Sequence, residues 1–298
     1  MNKMVNEIQV KSILNKHRKR DDWFLDDYSV NPYSGCSFNC IYCYIRGSKY
    51  GENMTKTLSV KINAPELMER QLSKRAKKGE YGIIAVSSAT EPYMPIEGKY
   101  KLTRKIFETI LKYKFPVEVA TKSKLVLRDL NILKEIDENA ILPDDLKPKL
   151  KHGVIISFSI STLDEKLAKF VEPGAPKPIE RLKTMRKCKE EGFFTGVCFI
   201  PVLPFLSDSS EQLEETIRTV KEYGADFIFV GGLTLFGKGP ADSKTLYFKF
   251  LEKHYPELLP KYKELYRIFF SPPKEYQREI EEKSKRLCEK YGIKNRIV

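Results

Sequence analysis

Only three histidines occur in the 298 residues, His17, His152 and His254, and they share no spacing. A general-base constellation built on imidazole therefore has nothing to rest on. No glycine-rich phosphate loop is present either, so acid–base hydrolysis is not what this chain advertises. The longest apolar stretch, Phe227 to Phe236, is too short to cross a bilayer. The opening residues MNKMVNEIQVKSILNKHRKR lack the apolar core of a signal peptide. These absences lead us to expect a soluble, cytoplasmic protein with no membrane partner. No internal repeat is evident, and 41% hydrophobic content at this length suffices for one barrel-sized catalytic domain.

Cysteine is scarce too, with six residues, but three of them fall within NPYSGCSFNCIYCYIRG, Asn31 to Gly47. Cys36, Cys40 and Cys43 stand at C-x3-C-x2-C spacing. Thiolates are soft ligands suited to iron–sulfur clusters or zinc, and crowding them is unfavourable unless a metal neutralises their repulsion. A zinc site normally completes itself with a second ligand pair downstream, and no C-x2-C or H-x3-H follows here. Two readings remain: a cluster held by three cysteines with one iron open, or a zinc knuckle recruiting His17 or another distant residue. A reducing compartment suits both.

With Tyr42 immediately before Cys43, the loop resembles the signature of the radical S-adenosylmethionine (SAM) superfamily, C-x3-C-x-aromatic-C. The resemblance implies a [4Fe–4S] cluster on Cys36, Cys40 and Cys43, with SAM chelating the open iron. It further implies that an electron from the cluster cleaves SAM to methionine and a 5′-deoxyadenosyl radical, which abstracts a hydrogen atom. The electron would come from a low-potential donor of ferredoxin or flavodoxin type. Further stretches are similar to the spore photoproduct lyase-like branch: TEPYMPIE at Thr90 to Glu97, ATKS at Ala120 to Ser123, EPGAP at Glu172 to Pro176, and Arg181. The lyase itself carries a cysteine in its second-strand loop, which returns a hydrogen atom to the product radical. Ser87, Ser88 and Ala89 occupy that neighbourhood here. A serine O–H bond is too strong for that role, so repair of the thymine photoproduct is not expected.

Six strand-like runs alternate with helical segments: Tyr28–Tyr33, Gly82–Ser88, Pro116–Lys122, Val154–Ser161, Phe194–Val202 and Ala225–Leu233. Such alternation predicts parallel β/α units with sites at the carboxyl ends of the strands. It agrees with the partial (β/α)6 TIM-type barrel that the resemblance implies. We place an amino-terminal arm at 1–27, the barrel core at 28–240 and a helical carboxyl-terminal extension at 241–298. Trp23, Phe24 and Leu25 are expected to anchor the arm, and Asn63 to cap the first long helix. Cys188 reads as a core residue, and Cys198 on the fifth strand reads as core, with the lumen as the alternative.

For SAM, the resemblance points to Ser88, Ala89 and Thr90 beside its ammonium, and Tyr42 belongs to the cluster loop. Strand alternation puts Glu118, Ala120 and Lys122 on one face, with Lys122 suited to a carboxylate. Ser157, Ser159 and Ser161 share another face, and Ser159 and Ser161 are candidate contacts to ribose or carboxylate. Lys and Arg outnumber Asp and Glu by 53 to 40, a net charge of +13. That balance favours approach to nucleic acid, although abundant Lys and Glu also make an ion-paired surface.

Overall fold

The computed structural model describes residues 4–48, 51 and 57–298. Residues 1–3 of the expected arm, and 49, 50 and 52–56 of the expected core, lie outside them. Ten strands occur among the described residues: β1 (Met4–Ile8), β2 (Leu14–Lys16), β3 (Asp26–Val30), β4 (Tyr33–Ser34), β5 (Thr57–Lys61), β6 (Ile83–Val86), β7 (Val117–Thr121), β8 (Val154–Ser159), β9 (Phe194–Val202) and β10 (Phe227–Gly232). Seven of them form one sheet in the order β10-β9-β8-β7-β6-β3-β2, parallel except for the antiparallel edge strand β2. The other three make a small sheet, β1-β5-β4.

The expected six parallel strands are all present, and the sheet stays open, as in a partial TIM-type barrel. Between them run α1 (Ala64–Lys77), α2 (Glu97–Tyr100), α3 (Leu102–Tyr113), α4 (Leu130–Asn139), α5 (Glu165–Val171), α6 (Pro178–Glu190) and α7 (Ser210–Glu222). Each longer helix buries one stripe; in α3 this is Leu102, Ile106, Phe107 and Ile110, at helical spacing. Ser209 and Gln212 form a reciprocal capping box that starts α7.

Strand alternation divides the side chains as the sequence implies. Ile156, Phe158 and Ile160 join Val117, Val119 and the helices in the outer core. Ile83, Ile155, Phe194, Phe227 and Phe229 fill the base of the barrel, where Trp23 and Phe24 pack their rings on Phe229. The expected first strand breaks in two. Pro32 has no N–H to offer a ladder, so β3 stays in the barrel while Tyr33 and Ser34 pair with β5. Asn63 precedes α1 without capping it through its side chain; instead its amide exchanges two hydrogen bonds with the backbone of Val10 (3.0 and 2.9 Å).

The carboxyl-terminal helices are α8 (Ser243–His254), α9 (Leu259–Leu265) and α10 (Lys274–Tyr291). Tyr247, Phe250, Leu251, Tyr262 and Tyr266 pack with Phe38, Cys40 and Tyr42 of the cysteine loop. Beyond α10 the chain adds a parallel bridge from Lys294 to Phe227 on β10. No described helix is long and apolar enough to cross a membrane.

Candidate active site

A cavity of about 780 Å³ opens at the carboxyl ends of the barrel strands. Cys36, Cys40 and Cys43 line it, together with Tyr42, Ser88, Ala89, Thr90, Lys122 and Ser159. The structure thus gathers nine of the ten residues singled out from the sequence. Ser161 is the exception: fully buried, it stands behind the wall and donates to Glu172 (3.1 Å).

The cysteine loop is held by neighbours far away in sequence. Ile41 N–H donates to the Val171 carbonyl (2.9 Å) and Gly174 N–H to that of Phe38 (2.9 Å). A Cβ on Gly174 would stand 2.4 Å from the Ser37 oxygen, so the EPGAP turn needs glycine to approach this closely. The Arg46 guanidinium, 2% exposed, bonds the Cys40 carbonyl (3.0 Å), the Asn39 side chain and the Ala241 carbonyl (3.2 Å). On the other flank, Ser37 N–H points at the Met94 sulfur (3.2 Å).

Glu172 is the hub behind the loop. Its carboxylate accepts from Tyr42, Ser161 and Arg181, while Arg181 also reaches the carbonyls of Ser159 (2.9 Å) and Pro176 (2.9 Å). Burial opposes the charge on Glu172, but Arg181 and Lys122 hold its carboxyl below its ordinary range. A second buried carboxylate, Glu91, accepts from Thr121, from Lys122 N–H (3.0 Å) and from Tyr93 N–H (3.1 Å), joining the loop after β6 to the end of β7. Lys122 stands among these anions. Burial lowers its affinity for a proton, yet Cys40, Glu172 and Glu91 together keep the ammonium above its usual value.

Burial pushes all three thiols up, Cys36 to about 11, and Lys122 pulls each of them back. Thiols in this setting release their protons to a metal that compensates the charge. Among the described residues, no three His, Cys, Asp or Glu side chains form a group that could hold a metal ion. A cubane asks for less convergence, because each cysteine binds a different iron, whereas zinc needs donors aimed at one point. His17, the proposed fourth zinc ligand, has both ring nitrogens engaged, by Asp26 (3.2 Å) and by Ser29 (3.1 Å).

The wall also fits a polar cofactor. The hydroxyls of Thr90 and Ser87 are buried without a hydrogen-bond partner, and both residues line the cavity. Ser88 is already engaged: its carbonyl accepts from Tyr44 and its hydroxyl from Asn31 (3.3 Å), while Asn31 also takes Ala89 N–H (2.9 Å). Donors and acceptors for an ammonium, a carboxylate and ribose hydroxyls therefore stand beside the three thiols.

Several cavity residues carried no role from the sequence. Cys198, read as core, lines the cavity from β9; Arg46, which lies outside the cavity lining but bonds the Cys40 carbonyl, gave no signal at all. Apart from His17 as a zinc ligand, the arm was assigned no part in the site, but His17, Lys19, Arg20, Asp21, Asp22, Phe24 and Asp26 all line the cavity.

Comparisons with known proteins place this geometry. An uncharacterised protein of Mycobacterium tuberculosis is 29% identical over 272 residues, 89% of this chain and 75% of its own length. A protein of Pseudomonas phage M6 named radical SAM Nalpha-GlyT isomerase is 24% identical over 201 residues, which is 66% of this chain but only 38% of the phage protein. Among solved structures, a spore photoproduct lyase mutant with bound SAM and dinucleoside spore photoproduct superposes with a TM-score of 0.64 at 17% identity, over 96% of this chain and 78% of the lyase. At that identity the likeness is one of fold. Residues 30–220, most of the barrel, match the radical SAM superfamily, and the chain belongs to that superfamily of radical enzymes.

Proposed function

We propose that this enzyme reductively cleaves SAM at a [4Fe–4S] cluster held by Cys36, Cys40 and Cys43, and that its substrate is a nucleic acid. The observation that carries the first part is the convergence of these thiols with Lys122, Ser159 and Thr90 on one cavity. When bound, cluster and SAM supply a 5′-deoxyadenosyl radical for hydrogen abstraction. The chain's own residues prepare that chemistry. Lys122 neutralises a carboxylate, Thr90 and Ser159 offer hydroxyls, and the Glu172–Arg181 pair fixes Tyr42 and with it the loop between Cys40 and Cys43. The aromatic packing of Phe38, Tyr247, Tyr262 and Tyr266 shields the loop's outer side from water.

The nucleic-acid part is supported by the net charge of +13 and by the lyase-like fold. Phosphate contacts release counterions, so such binding weakens steeply with salt. A low-potential ferredoxin or flavodoxin fits as the electron source. A non-catalytic iron–sulfur or zinc protein that binds nucleic acid is the competing reading, and SAM turnover separates the two. We expect anaerobically reconstituted protein with dithionite to release 5′-deoxyadenosine, and the triple Cys36→Ala, Cys40→Ala, Cys43→Ala variant to lose iron, sulfide and turnover together. Cluster-replete protein that releases none would overturn the enzymatic part. Release of 5′-deoxyadenosine with no salt-dependent oligonucleotide binding would overturn the nucleic-acid part alone.

A further inference from the structure

The cavity has two electrostatic ends. Cysteines, Lys122 and the outlying Arg46 mark one. At the other, Glu118 of β7, below Ala120 of the same strand and Lys122 just past its end, lies close enough to Asp26 of β3 and Asp21 of the arm to feel their charge, and Asp22 also lines the cavity. Glu118 is 2% exposed and its hydrogen bond comes from the Ser157 hydroxyl on β8. The cations near this end are already engaged, two of them with these same acids. Arg20 is turned to Asp27 (3.1 Å) and Asp145, Lys19 to the exposed Asp22 (3.8 Å), and His17 bridges Asp26 to Ser29. Lys122 is drawn to the opposite end by Cys40, Glu172 and Glu91.

A second feature faces the same space. Ser87, 3% exposed, keeps a buried hydroxyl without a hydrogen-bond partner in the cavity wall. Ala85, two residues before it, pairs with Glu118 across β6 and β7, so the serine lies one step above the carboxyl on the neighbouring strand. A buried hydroxyl without a partner is unfavourable unless a ligand completes it. Two carboxylates and a spare acceptor call for a donor-rich cation; a phosphate here would meet like charge.

We propose that this end of the cavity seats a protonated primary amine of the substrate between Glu118 and Asp26, with Ser87 accepting a third N–H. An ammonium has three donors to match the three acceptors. The inference rests on the cavity being the reaction chamber, and not on the substrate being nucleic acid: the basic exterior and the acidic interior address different parts of whatever enters. Burial, helped by Asp26 and Asp21, raises the Glu118 carboxyl to about 8. Seating an ammonium beside it therefore ionises it and releases a proton to solvent near neutral pH.

The test is binding, measured by calorimetry on anaerobic, cluster-replete protein without reductant. n-Butylammonium and its neutral counterpart n-butanol are the first probes; lysine amide and a thymidine dinucleotide carrying an aminopropyl group present the same amine on a peptide and on a nucleotide. We expect n-butylammonium to bind at least tenfold more tightly than n-butanol, with an observed heat that varies with the buffer's ionisation enthalpy, the slope giving the proton released. Glu118→Gln and Asp26→Asn should each lose about tenfold while retaining full cluster absorbance, which shows that they fold. Tighter binding of either amine carrier than of its amine-free analogue supports the proposal. It is overturned if n-butanol binds as well as the ammonium, if Glu118→Gln leaves amine affinity unchanged, or if the unmodified dinucleotide binds as tightly as the aminated one. Failure here with 5′-deoxyadenosine still formed removes only the amine subsite; amine binding without 5′-deoxyadenosine removes only the radical reading.

Discussion

Arg181→Ala is expected to lower stability by about 3–5 kcal/mol, because it leaves the buried Glu172 carboxylate without its hydrogen-bonded charge partner, with Lys122 acting only from a distance. Both side chains are 1% exposed, so water cannot take over. The guanidinium also bonds the carbonyls of Ser159 and Pro176, bracing the end of β8 against the EPGAP turn. Arg181→Lys should recover only part of the loss, since an ammonium cannot span those directions at once. Adding Glu172→Gln to Arg181→Met should restore much of it by removing the orphaned charge. Urea unfolding of the parent, Arg181→Met, Glu172→Gln and the double variant, as a double-mutant cycle, measures the coupling. A loss below about 1 kcal/mol for Arg181→Ala, the range of surface pairs, would mean that the pair is solvated in solution. The Tyr42 hydroxyl shares the same carboxylate, so Arg181→Ala should also loosen the cysteine loop and slow cluster reconstitution.

Glu118→Gln should reverse the sign of an ordinary carboxylate deletion at alkaline pH. Burial is the main reason the Glu118 carboxyl is raised from 4.5 to about 8; Asp26 and Asp21 add to it and Ser157 opposes it. The folded protein therefore holds a proton that the unfolded chain gives up. Stability that depends on this proton is fully present below about 4.5 and is lost as pH rises through about 8. At roughly 1.4 kcal/mol for each pH unit, the whole window is worth on the order of 5 kcal/mol. Glutamine keeps an acceptor for Ser157 and never ionises. Melting at pH 5, 7 and 9 should show the variant gaining on the parent with each step, by several degrees or more at pH 9. Parallel curves would show that the carboxyl ionises freely in the folded state.

What the sequence made readable, and what it hid, follows from the distance over which each feature is assembled. The strands and the inward faces of β7 and β8 depend on period-two alternation within six or seven residues, so Glu118, Ala120 and Lys122 could be placed on one face without a structure. The cysteine spacing is equally local. By contrast, Glu172 and Tyr42 are 130 residues apart, and Arg46 meets Ala241 across 195; no window reveals such pairs. Ser161 failed as a cavity residue because the strand ends at Ser159, and past that point alternation no longer says where a side chain points. Asn63 carried a sound capping signal, yet its amide satisfied Val10 instead, a local preference overridden by a contact 53 residues away. The arm's seat in the cavity wall was invisible because polar, charged residues read alike on a free surface and around a polar chamber.

The small sheet β1-β5-β4 has a bearing on how the site would outlast loss of the proposed cluster. Its central strand β5 and the short β4 stand on either side of the cysteine loop and pair directly, Tyr33 with Val60 and Ser34 with Ser59. At the neck, Gly35 adopts φ +81°, with the Thr57 carbonyl where a Cβ would sit. The entropy of closing the loop is thereby met by backbone pairing, and not by the cluster. Were the proposed cluster lost, the damage would be confined to a tethered loop, with the surrounding barrel left as a template onto which iron and sulfide could be rebuilt.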